Sequence, residues 1–119
     1  MLLTSVVDAE LSGTVSATLE GHLDAGGATQ LRRDLSPLIT AETPSLLLDL
    51  RGVDWITSVG VGALMHLYSR AQAQRGVMAL FGSVPRVRFV LHVCGLEALL
   101  NVQDTEAEAR ERLRSQQSP

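Results

Sequence analysis

The chain has 119 residues and a net charge of −3, and 45% of its residues are hydrophobic but only 3% are aromatic. This length allows one domain with an aliphatic core, whereas the negative charge and the few aromatic side chains argue against nucleic-acid binding. The single cysteine, Cys94, excludes an internal disulfide and a cysteine-based zinc site.

The chain begins with two short runs that favour β structure, residues 6–11 and residues 14–19. The pair Ser12-Gly13 between them is typical of a hairpin turn. We therefore predict a β-hairpin, which adds an antiparallel strand to one edge of a sheet.

A helix is predicted over residues 25–35. The turn before it reads G-H-L-D and ends at Asp24, whose side chain is suited to cap the first helical turn. Leu31 and Leu35 keep helical spacing. Pro37 ends or kinks this helix, because proline lacks a backbone N–H and clashes with the preceding turn.

Two apolar strands surround the next helix. Residues 45–50 form a nearly continuous apolar run, as expected for a strand covered on both faces, and residues 77–81 form a second buried strand. Gly76 is suited to the left-handed cap that ends the helix between them. This helix, over residues 58–73, is predicted to pack through a face with the spacing i, i+3, i+4 and i+7: Val61, Leu64, Met65 and Tyr68.

The last third of the chain predicts two helices and a short strand. A helix over residues 85–93 starts with a proline and ends at Cys94-Gly95, where Cys94 is expected to pack as a small residue. Beyond it we predict a short strand within residues 96–102, a charged helix over residues 105–114 and a disordered tail over residues 115–119.

The predicted order of elements is β-β-α-β-α-β-α-β-α. Strands that alternate with helices predict parallel neighbours joined by right-handed crossovers. We therefore expect an α/β fold in which residues 1–119 form a single domain, with a mixed sheet of four or five strands and helices packed on it.

No part of the sequence is typical of a targeting or membrane segment. No run reaches the roughly 18 consecutive apolar residues of a spanning helix, and the N-terminus lacks the basic start of a signal peptide. We expect a cytoplasmic protein without membrane insertion.

Acidic residues are unevenly distributed along the chain. Between Trp55 and Leu96 there is no Asp or Glu, while this span contains four arginines: Arg70, Arg75, Arg86 and Arg88. Two interpretations remain open, namely solvated helix faces or a surface that meets an acidic partner.

The stretch T-S-V-G-V-G, residues 57–62, is unusual for the start of a helix. It resembles a dinucleotide-binding loop, but Met65 replaces the third glycine and no acid follows to bind a ribose. It is not a hydrolase nucleophile elbow, because Ile56 stands where that turn needs a glycine. We therefore expect neither a nucleotide site nor a catalytic serine.

The three histidines, His22, His66 and His92, lie in separate predicted elements, and no two of them have the spacing of metal ligands. We therefore expect no metal and no cofactor. With no candidate catalytic residue, an enzyme activity is not predicted.

Ser58 is suited to cap the helix that follows it by accepting an N–H from Gly60 or Val61. Residue 61 is a valine and not the acid of a capping box, and each of Gly60 and Gly62 weakens the helix by about 1 kcal/mol relative to alanine. The first turn thus combines free N–H groups with the positive end of the helix dipole. Such a turn is suited to a phosphate or to the close approach of a partner's backbone.

Several sequence motifs, which occur along the chain in the same order as in the family, resemble the STAS domain of bacterial anti-sigma factor antagonists. The family has an apolar strand ending in D-L, a G-V pair, and D-S-S-G-x-G at the start of a helix. Residues 46–62 here read L-L-L-D-L-R-G-V-D-W-I-T-S-V-G-V-G. G-H-L-D at residues 21–24 resembles the family's G-E-L-D, and C-G-L at residues 94–96 resembles its S-G-L. The resemblance covers residues 5–113.

The resemblance implies a protein that binds an anti-sigma factor and thereby frees a sigma factor. In the family, the anti-sigma factor is also a serine kinase that phosphorylates the first serine of D-S-S-G, which matches Ser58. Phosphorylation adds about −1.5 to −2 charges and blocks binding, and a phosphatase restores it. The implied partner-binding residues are Gly21, His22, Leu23, Asp24, Thr57, Ser58, Val59, Gly60 and Gly62.

Two residues depart from the family motif, since Thr57 replaces its Asp and Val59 replaces its second serine. Thr57 is therefore a second candidate for the phosphorylated residue. Another class of function also remains open. It is a STAS subunit without a phosphorylation cycle in a transport or signalling complex, such as the cytoplasmic partner of a lipid-transport ATPase.

Overall fold

The apolar runs of the sequence assemble into one five-stranded sheet in the computed structural model, which describes residues 1–116. The strands are β1 (Leu2–Val7), β2 (Thr14–Leu23), β3 (Ser45–Ile56), β4 (Met78–Phe81) and β5 (Val102–Gln103). The helices are α1 (Ala25–Leu35), α2 (Ser58–Ala73), α3 (Pro85–Val93) and α4 (Glu106–Gln116), and a 3-10 turn over Ser36–Leu38 follows α1. This element order confirms the predicted one.

The sheet has the strand order β1-β2-β3-β4-β5. β1 is antiparallel to β2, and the other neighbouring strands are parallel. Helices α1, α2 and α3 share one apolar cluster, which includes Leu31, Leu64 and Leu91. A second cluster joins Leu113 of α4 to Leu47 of β3. Since Leu46 and Leu48 belong to the first cluster, α4 covers the opposite face of the sheet.

Residues 45–50 of β3 are buried on both faces, as predicted, but the strand is longer than the sequence indicated. It continues from Leu50 to Ile56, because its second half pairs with the end of β2. The pairing register of β2 and β3 shifts between Thr18 and Glu20. Gly52 fits this irregularity, since a Cβ there would lie 3.1 Å from the carbonyl oxygen of Leu19. The extension carries the strand to the site described below.

The hairpin differs from its prediction. The first strand covers Leu2–Val7 rather than residues 6–11, and β2 begins at Thr14 as predicted but runs to Leu23 rather than to residue 19. The turn between them is built on Asp8, whose Oδ1 accepts the backbone N–H groups of Glu10 (2.9 Å) and Leu11 (2.8 Å). This carboxylate turn ends the strand where β propensity alone predicted that it would continue.

Asp8 also ties the hairpin to α4. Nη2 of Arg110 lies 2.9 Å from Oδ2 of Asp8, and Nε of Arg110 lies 2.8 Å from Glu106 in the same helix. Burial alone would raise the pKa of the Asp8 carboxyl, but hydrogen bonds from Arg110, Ser16 and the turn hold the pKa far below its ordinary value. The charged form of Asp8 is therefore part of the folded state.

Helix α2 begins and ends at the predicted residues, but its buried face is shifted. Leu64 is fully buried as predicted, whereas Val61, Met65 and Tyr68 are only partly buried against the core. The fully enclosed face is that of Gly60, Ala63, Leu64, Leu67 and Ala71. Small residues on this face let α2 approach the sheet and α1 closely, while Val61, Met65 and Tyr68 lie at its margin.

The end of α2 also corrects an expectation about Gly76. The left-handed residue is Arg75, with φ of 62°, and not the glycine. Gly76 is required by space, since a Cβ there would lie 2.0 Å from the carbonyl oxygen of Pro44.

The C-terminal part of the fold differs from the prediction in three ways. Cys94 is exposed rather than packed, although Gly95 closes α3 with φ of 72° as expected of a terminal glycine. The predicted strand shrinks to β5, because the residues before it form turns. The predicted tail is partly helical, since α4 runs to Gln116, whose side chain accepts a hydrogen bond from Asn101. Residues 117–119 of the predicted tail lie outside the described residues.

Among residues 1–116, no helix has both the length and the apolar composition that crossing a bilayer requires.

We expect Asp8→Asn to lower the free energy of unfolding by about 1–3 kcal/mol at pH 7, because hydrogen bonds to charged groups contribute about that much. The amide keeps an oxygen for the backbone N–H groups but loses the charge that faces Arg110. Urea denaturation measures the change. The matched control is Glu10→Gln, which we expect to cost under about 0.5 kcal/mol, since Glu10 is 73% exposed and lies 4.0 Å from Arg110.

The same pair gives a pH dependence. Because the pKa of Asp8 is depressed in the folded state, its contribution is complete above the unfolded pKa, about 3.9, and is lost as the pH falls below it. The difference in unfolding free energy between wild type and Asp8→Asn therefore shrinks on acidification from about pH 5. A difference that stays constant would contradict this assignment.

Candidate functional site

The two segments singled out in the sequence meet at one edge of the sheet. β2 and β3 are parallel, with Leu23 opposite Ile56 and His22 opposite Trp55, so both strands end at the same level. The chain then turns into α1 after β2 and into α2 after β3. The N–H of Thr57 donates to the carbonyl oxygen of Leu23 at 3.1 Å. Residues 21–24 and the Ser58 turn, which the resemblance implies as partner-binding residues, therefore lie side by side.

Gly60 makes this junction possible. A Cβ at position 60 would lie 2.1 Å from the carbonyl oxygen of Leu23 and 2.9 Å from its Cγ. The sequence indicated that Gly60 would allow the close approach of a partner's backbone. Gly60 is buried, however, and the backbone that approaches it closely is that of β2. Gly62 is different, because a Cβ there would meet only Nη2 of Arg32, at 3.7 Å. Packing therefore requires glycine at position 60 and not at position 62.

The capping residue of α2 is Thr57 and not Ser58. Thr57 has an extended backbone (φ −105°, ψ 172°), and its Oγ1 accepts the N–H of Gly60 at 3.3 Å. Ser58 is the first helical residue, so its side chain does not point back over the turn. Threonine and serine are both good capping residues. Because β3 ends at Ile56, Thr57 is the residue between strand and helix and therefore occupies the capping position.

Ser58 is consequently available at the surface. Its side chain is exposed, and its hydroxyl makes no hydrogen bond to any residue between Met1 and Gln116. The first turn of α2 contains no acidic residue, so the positive end of the helix dipole is not neutralised there. A hydroxyl in this position is accessible to a modifying enzyme.

The surface around Ser58 is partly apolar. Trp55 is 51% exposed and Val59 is 47% exposed, although both are large hydrophobic residues. Exposed aromatic and aliphatic groups are typical of the core of a protein interface, so this turn is a candidate interaction surface. Trp55 was not predicted as part of the site, and its only signal in the sequence is its place two residues before Thr57.

The end of β2 and the residue that follows it contribute two polar side chains to the site, those of His22 and Asp24. Nδ1 of the exposed His22 lies 2.8 Å from Oδ1 of Asp54. Asp24 caps α1, as predicted, by accepting the N–H of Gly27 at 3.1 Å, and this hydrogen bond lowers the pKa of its carboxyl. The N-terminus of α1 thus has its own carboxylate, whereas that of α2 has none.

The other candidates stay apart from this site. His66 Nε2 lies 3.0 Å from the hydroxyl of Ser36, and His92 contacts Glu97. Within the described part of the chain, no group of three His, Cys, Asp or Glu residues is arranged to hold a metal ion.

The arginines of the acid-free stretch do not form one free basic surface. Arg88 pairs with Glu97 and Asp104, which lie beyond the stretch. Arg70 donates to the carbonyl oxygen of Ile39 at 3.0 Å. Of the two open interpretations, the structure therefore favours ordinary helix faces over a surface for an acidic partner.

Comparisons with known proteins agree with this architecture. A family model described as the STAS domain matches residues 6–109. The chain is 24% identical over 88 residues to the anti-sigma-B factor antagonist of Listeria monocytogenes, covering 74% of this chain and 77% of that protein.

Solved structures of the anti-sigma factor antagonist SpoIIAA are also similar. The unphosphorylated form has a TM-score of 0.76 and 25% identity, covering 94% of this chain and 97% of that one. The phosphorylated form of the Bacillus protein has a TM-score of 0.69 and 25% identity, covering 93% and 100%.

We expect Thr57→Ala to lower the free energy of unfolding by about 0.5–2 kcal/mol, the usual cost of losing a cap. Ser58→Ala is the matched control and should change it by less than about 0.5 kcal/mol, because its exposed hydroxyl caps nothing. Thermal or urea denaturation of both variants measures the difference. Equal losses would mean that Ser58 shares the capping role.

We expect the two glycines of the turn to respond oppositely to alanine. Gly62→Ala should stabilise the protein by up to about 1 kcal/mol, because alanine is the better helix former and the added Cβ meets no close neighbour. Gly60→Ala should destabilise it, because its Cβ collides with the carbonyl of Leu23. Denaturation curves of the two variants test this, and a stable Gly60→Ala protein would contradict the described junction.

Proposed function

Because the chain belongs to the STAS domain family, we propose that it is an anti-sigma factor antagonist whose binding is switched off by phosphorylation of Ser58. It acts as a binding module in the cytoplasm and has no catalytic activity of its own. Its partner is an anti-sigma factor that is also a serine kinase, and a phosphatase returns it to the binding state. Its similarity to proteins named as anti-sigma factor antagonists supports this proposal.

The observation that carries the proposal is the placement of Ser58. Its hydroxyl is exposed at the first position of α2 and lies between the exposed Trp55 and Val59 along the chain. A kinase needs access to the hydroxyl, and a partner needs apolar surface to bind. This turn offers both, so one modification acts directly on the binding surface.

A phosphate on Ser58 is compatible with the fold. The N-terminus of a helix favours negative charge, and the first turn of α2 contains no acidic residue that would repel a phosphate. Ser58 also takes no part in the cap or in the core. We therefore expect phosphorylation to leave the sheet and helices in place.

The same phosphate is unfavourable for a partner. A contact that buries Trp55 and Val59 would have to desolvate about −1.5 to −2 charges beside them. The unmodified turn presents the positive end of α2, which favours a carboxylate of the partner. Phosphorylation thus replaces attraction with a desolvation cost and repulsion, without any change of fold.

Thr57 is less suited to be the acceptor. It is half-buried, and its Oγ1 already accepts the N–H of Gly60. A phosphate on Thr57 would disrupt the cap of α2. Ser58 is therefore the first choice and Thr57 the second.

The proposed site also includes residues 21–24. Leu23 is buried, and its carbonyl supports the turn of α2, so it shapes the surface rather than touching a partner. His22 is exposed and is the residue of this segment with the most direct access to a partner.

The first test is phosphorylation by candidate anti-sigma kinases with ATP, followed by mass mapping of residues 52–70. We expect one phosphate on Ser58 in wild type and none in Ser58→Ala, which stays folded because Ser58 caps nothing. Undiminished labelling of Ser58→Ala would move the acceptor to Thr57. No labelling by any kinase, together with co-purification of a transport ATPase, would favour the STAS subunit without a phosphorylation cycle.

The second test is calorimetric titration of the anti-sigma factor with Ser58→Asp. We expect binding to weaken by a few kcal/mol at most, because one carboxylate carries less charge than a phosphate and changes a contact of standard size. Ser69→Asp is the matched control, since Ser69 is exposed on the same helix but lies far from its first turn. Equal affinities of wild type and Ser58→Asp would mean that this turn is not the interface.

A further inference from the structure

β1 is an unprotected edge of the sheet. Its sequence, L-L-T-S-V-V, contains no charge and no proline. Leu2, Val6 and Val7 are 62%, 65% and 68% exposed, among the most exposed large hydrophobic residues that the structure describes. Edge strands of monomeric proteins usually carry a charge, a proline or a bulge that prevents pairing, and this strand has none of these between its ends.

The outer backbone of β1 is arranged for further pairing. β1 pairs with β2 in an unbroken antiparallel register from Leu2 to Val7. The N–H of Asp8, just beyond the strand, donates to Thr14 of β2 at 2.8 Å. Because backbone groups alternate in direction along a strand, Leu3, Ser5 and Val7 direct their N–H and C=O groups away from β2.

The strand is also complementary to itself. A two-fold axis perpendicular to the sheet pairs two copies of β1 antiparallel and keeps each face of the sheet on the same side. With the axis at Thr4, Leu2 of each copy lies opposite Val6 of the other copy, and the two Thr4 residues lie opposite each other. Each exposed Leu2 and Val6 is then covered by an apolar side chain, and the small hydroxyl residue lies at the centre.

We propose that β1 pairs with β1 of a second copy in this register, so that two five-stranded sheets form one continuous sheet of ten strands. The outward backbone groups of Leu3 and Ser5 then hydrogen-bond between the copies. The observation behind the proposal is the uncharged, self-complementary edge. Other occupants, such as a strand of a different protein, are outcomes of the test below.

This dimer is independent of the proposed switch. Leu2 pairs with Glu20 near the end of β2 where the Ser58 site lies. Because the two copies run antiparallel, their Ser58 sites lie at opposite ends of the combined sheet. Both sites stay open, so failure of the dimer leaves the proposed function untouched, and the reverse also holds.

Disulfide trapping tests the register directly, in a Cys94→Ser background that removes the free exposed cysteine. In the proposed dimer the two Thr4 residues form a pair without backbone hydrogen bonds, with Cα atoms about 4.5 Å apart, within the range of about 4.4–6.8 Å that a disulfide spans. We expect Thr4→Cys to form a covalent dimer on mild oxidation. Leu2→Cys is the matched control, since two Leu2 residues would be four positions apart, or about 14 Å. Equal cross-linking of the two variants, or none with Thr4→Cys, would overturn the proposal.

Sedimentation velocity over a range of concentrations provides a second measurement. We expect wild type to dimerise as its concentration rises and Thr4→Lys to stay monomeric, because like charges would face each other across the axis. Thr18→Lys is the matched control, as Thr18 is the partner of Thr4 on the inner strand β2, and it should dimerise like wild type. Ser5→Pro should also be monomeric, since it removes an outward N–H that no bond within the fold requires.

A monomeric wild type at all concentrations would overturn the proposal. So would a dimer that survives both Thr4→Lys and Ser5→Pro, because it would use another surface. Binding of β1 to a different protein, with wild type remaining monomeric, would also exclude the second copy as the occupant.

Discussion

The geometry of the site depends on the carbonyl oxygen of Leu23. It accepts the N–H of Thr57 and occupies the space that a side chain at position 60 would need. These two contacts fix the first turn of α2 against the end of β2. Thr57 then has the extended backbone of a cap, and Ser58 becomes the first helical residue, directed toward solvent. The exposure of Ser58 is therefore a consequence of strand pairing and of one glycine.

This arrangement separates the residues that stabilise the turn from those that we propose to bind a partner. Thr57 and Gly60 hold the turn from inside, while Ser58, Val59 and Trp55 lie outside it. A charge added to Ser58 meets the positive end of a helix rather than a packed core. A modification there changes what a partner encounters and leaves the contacts that maintain the turn intact. Such a division is what the proposed switch requires, since Ser58 would be modified repeatedly without unfolding of the protein.

The helices were predictable from the sequence because their ends are encoded locally. α1, α2 and α3 begin and end at the predicted residues, where Asp24, Pro85 and Gly95 supply a cap, a first-turn proline and a terminal glycine. The strands were less predictable, because their ends depend on partners distant in the sequence. β3 extends to Ile56 only because the end of β2 lies beside it, and no local pattern shows that.

The site was predictable as a place but not in its details. The glycines and hydroxyls of residues 57–62 identified the turn, yet either Thr57 or Ser58 could have been the cap on propensity alone. The need for glycine at position 60 arises from Leu23, which is far away in sequence. The exposed Trp55 was missed because the predicted strand ended at residue 50, and no local pattern shows which side chains of its extension face solvent. Each of these details depends on which residues meet in the folded protein, and the local sequence does not show that.

β2 contacts both the Ser58 turn and the edge strand β1, at different parts of its length. Its carboxyl end, at Leu23, supports the Ser58 turn, while its length pairs with β1 on the side away from β3. The Ser58 turn lies at the end of β2, whereas β1 lies along its side. A partner bound at the Ser58 turn therefore does not cover the outer edge of β1, and a partner on that edge does not cover the turn. The start of β1 nevertheless lies close to the site strand, since a Cβ on Gly21 would be 3.4 Å from Cα of Met1. The proposed pairing is centred on Thr4, three residues further along the chain, so it leaves the residues around Ser58 open to a partner.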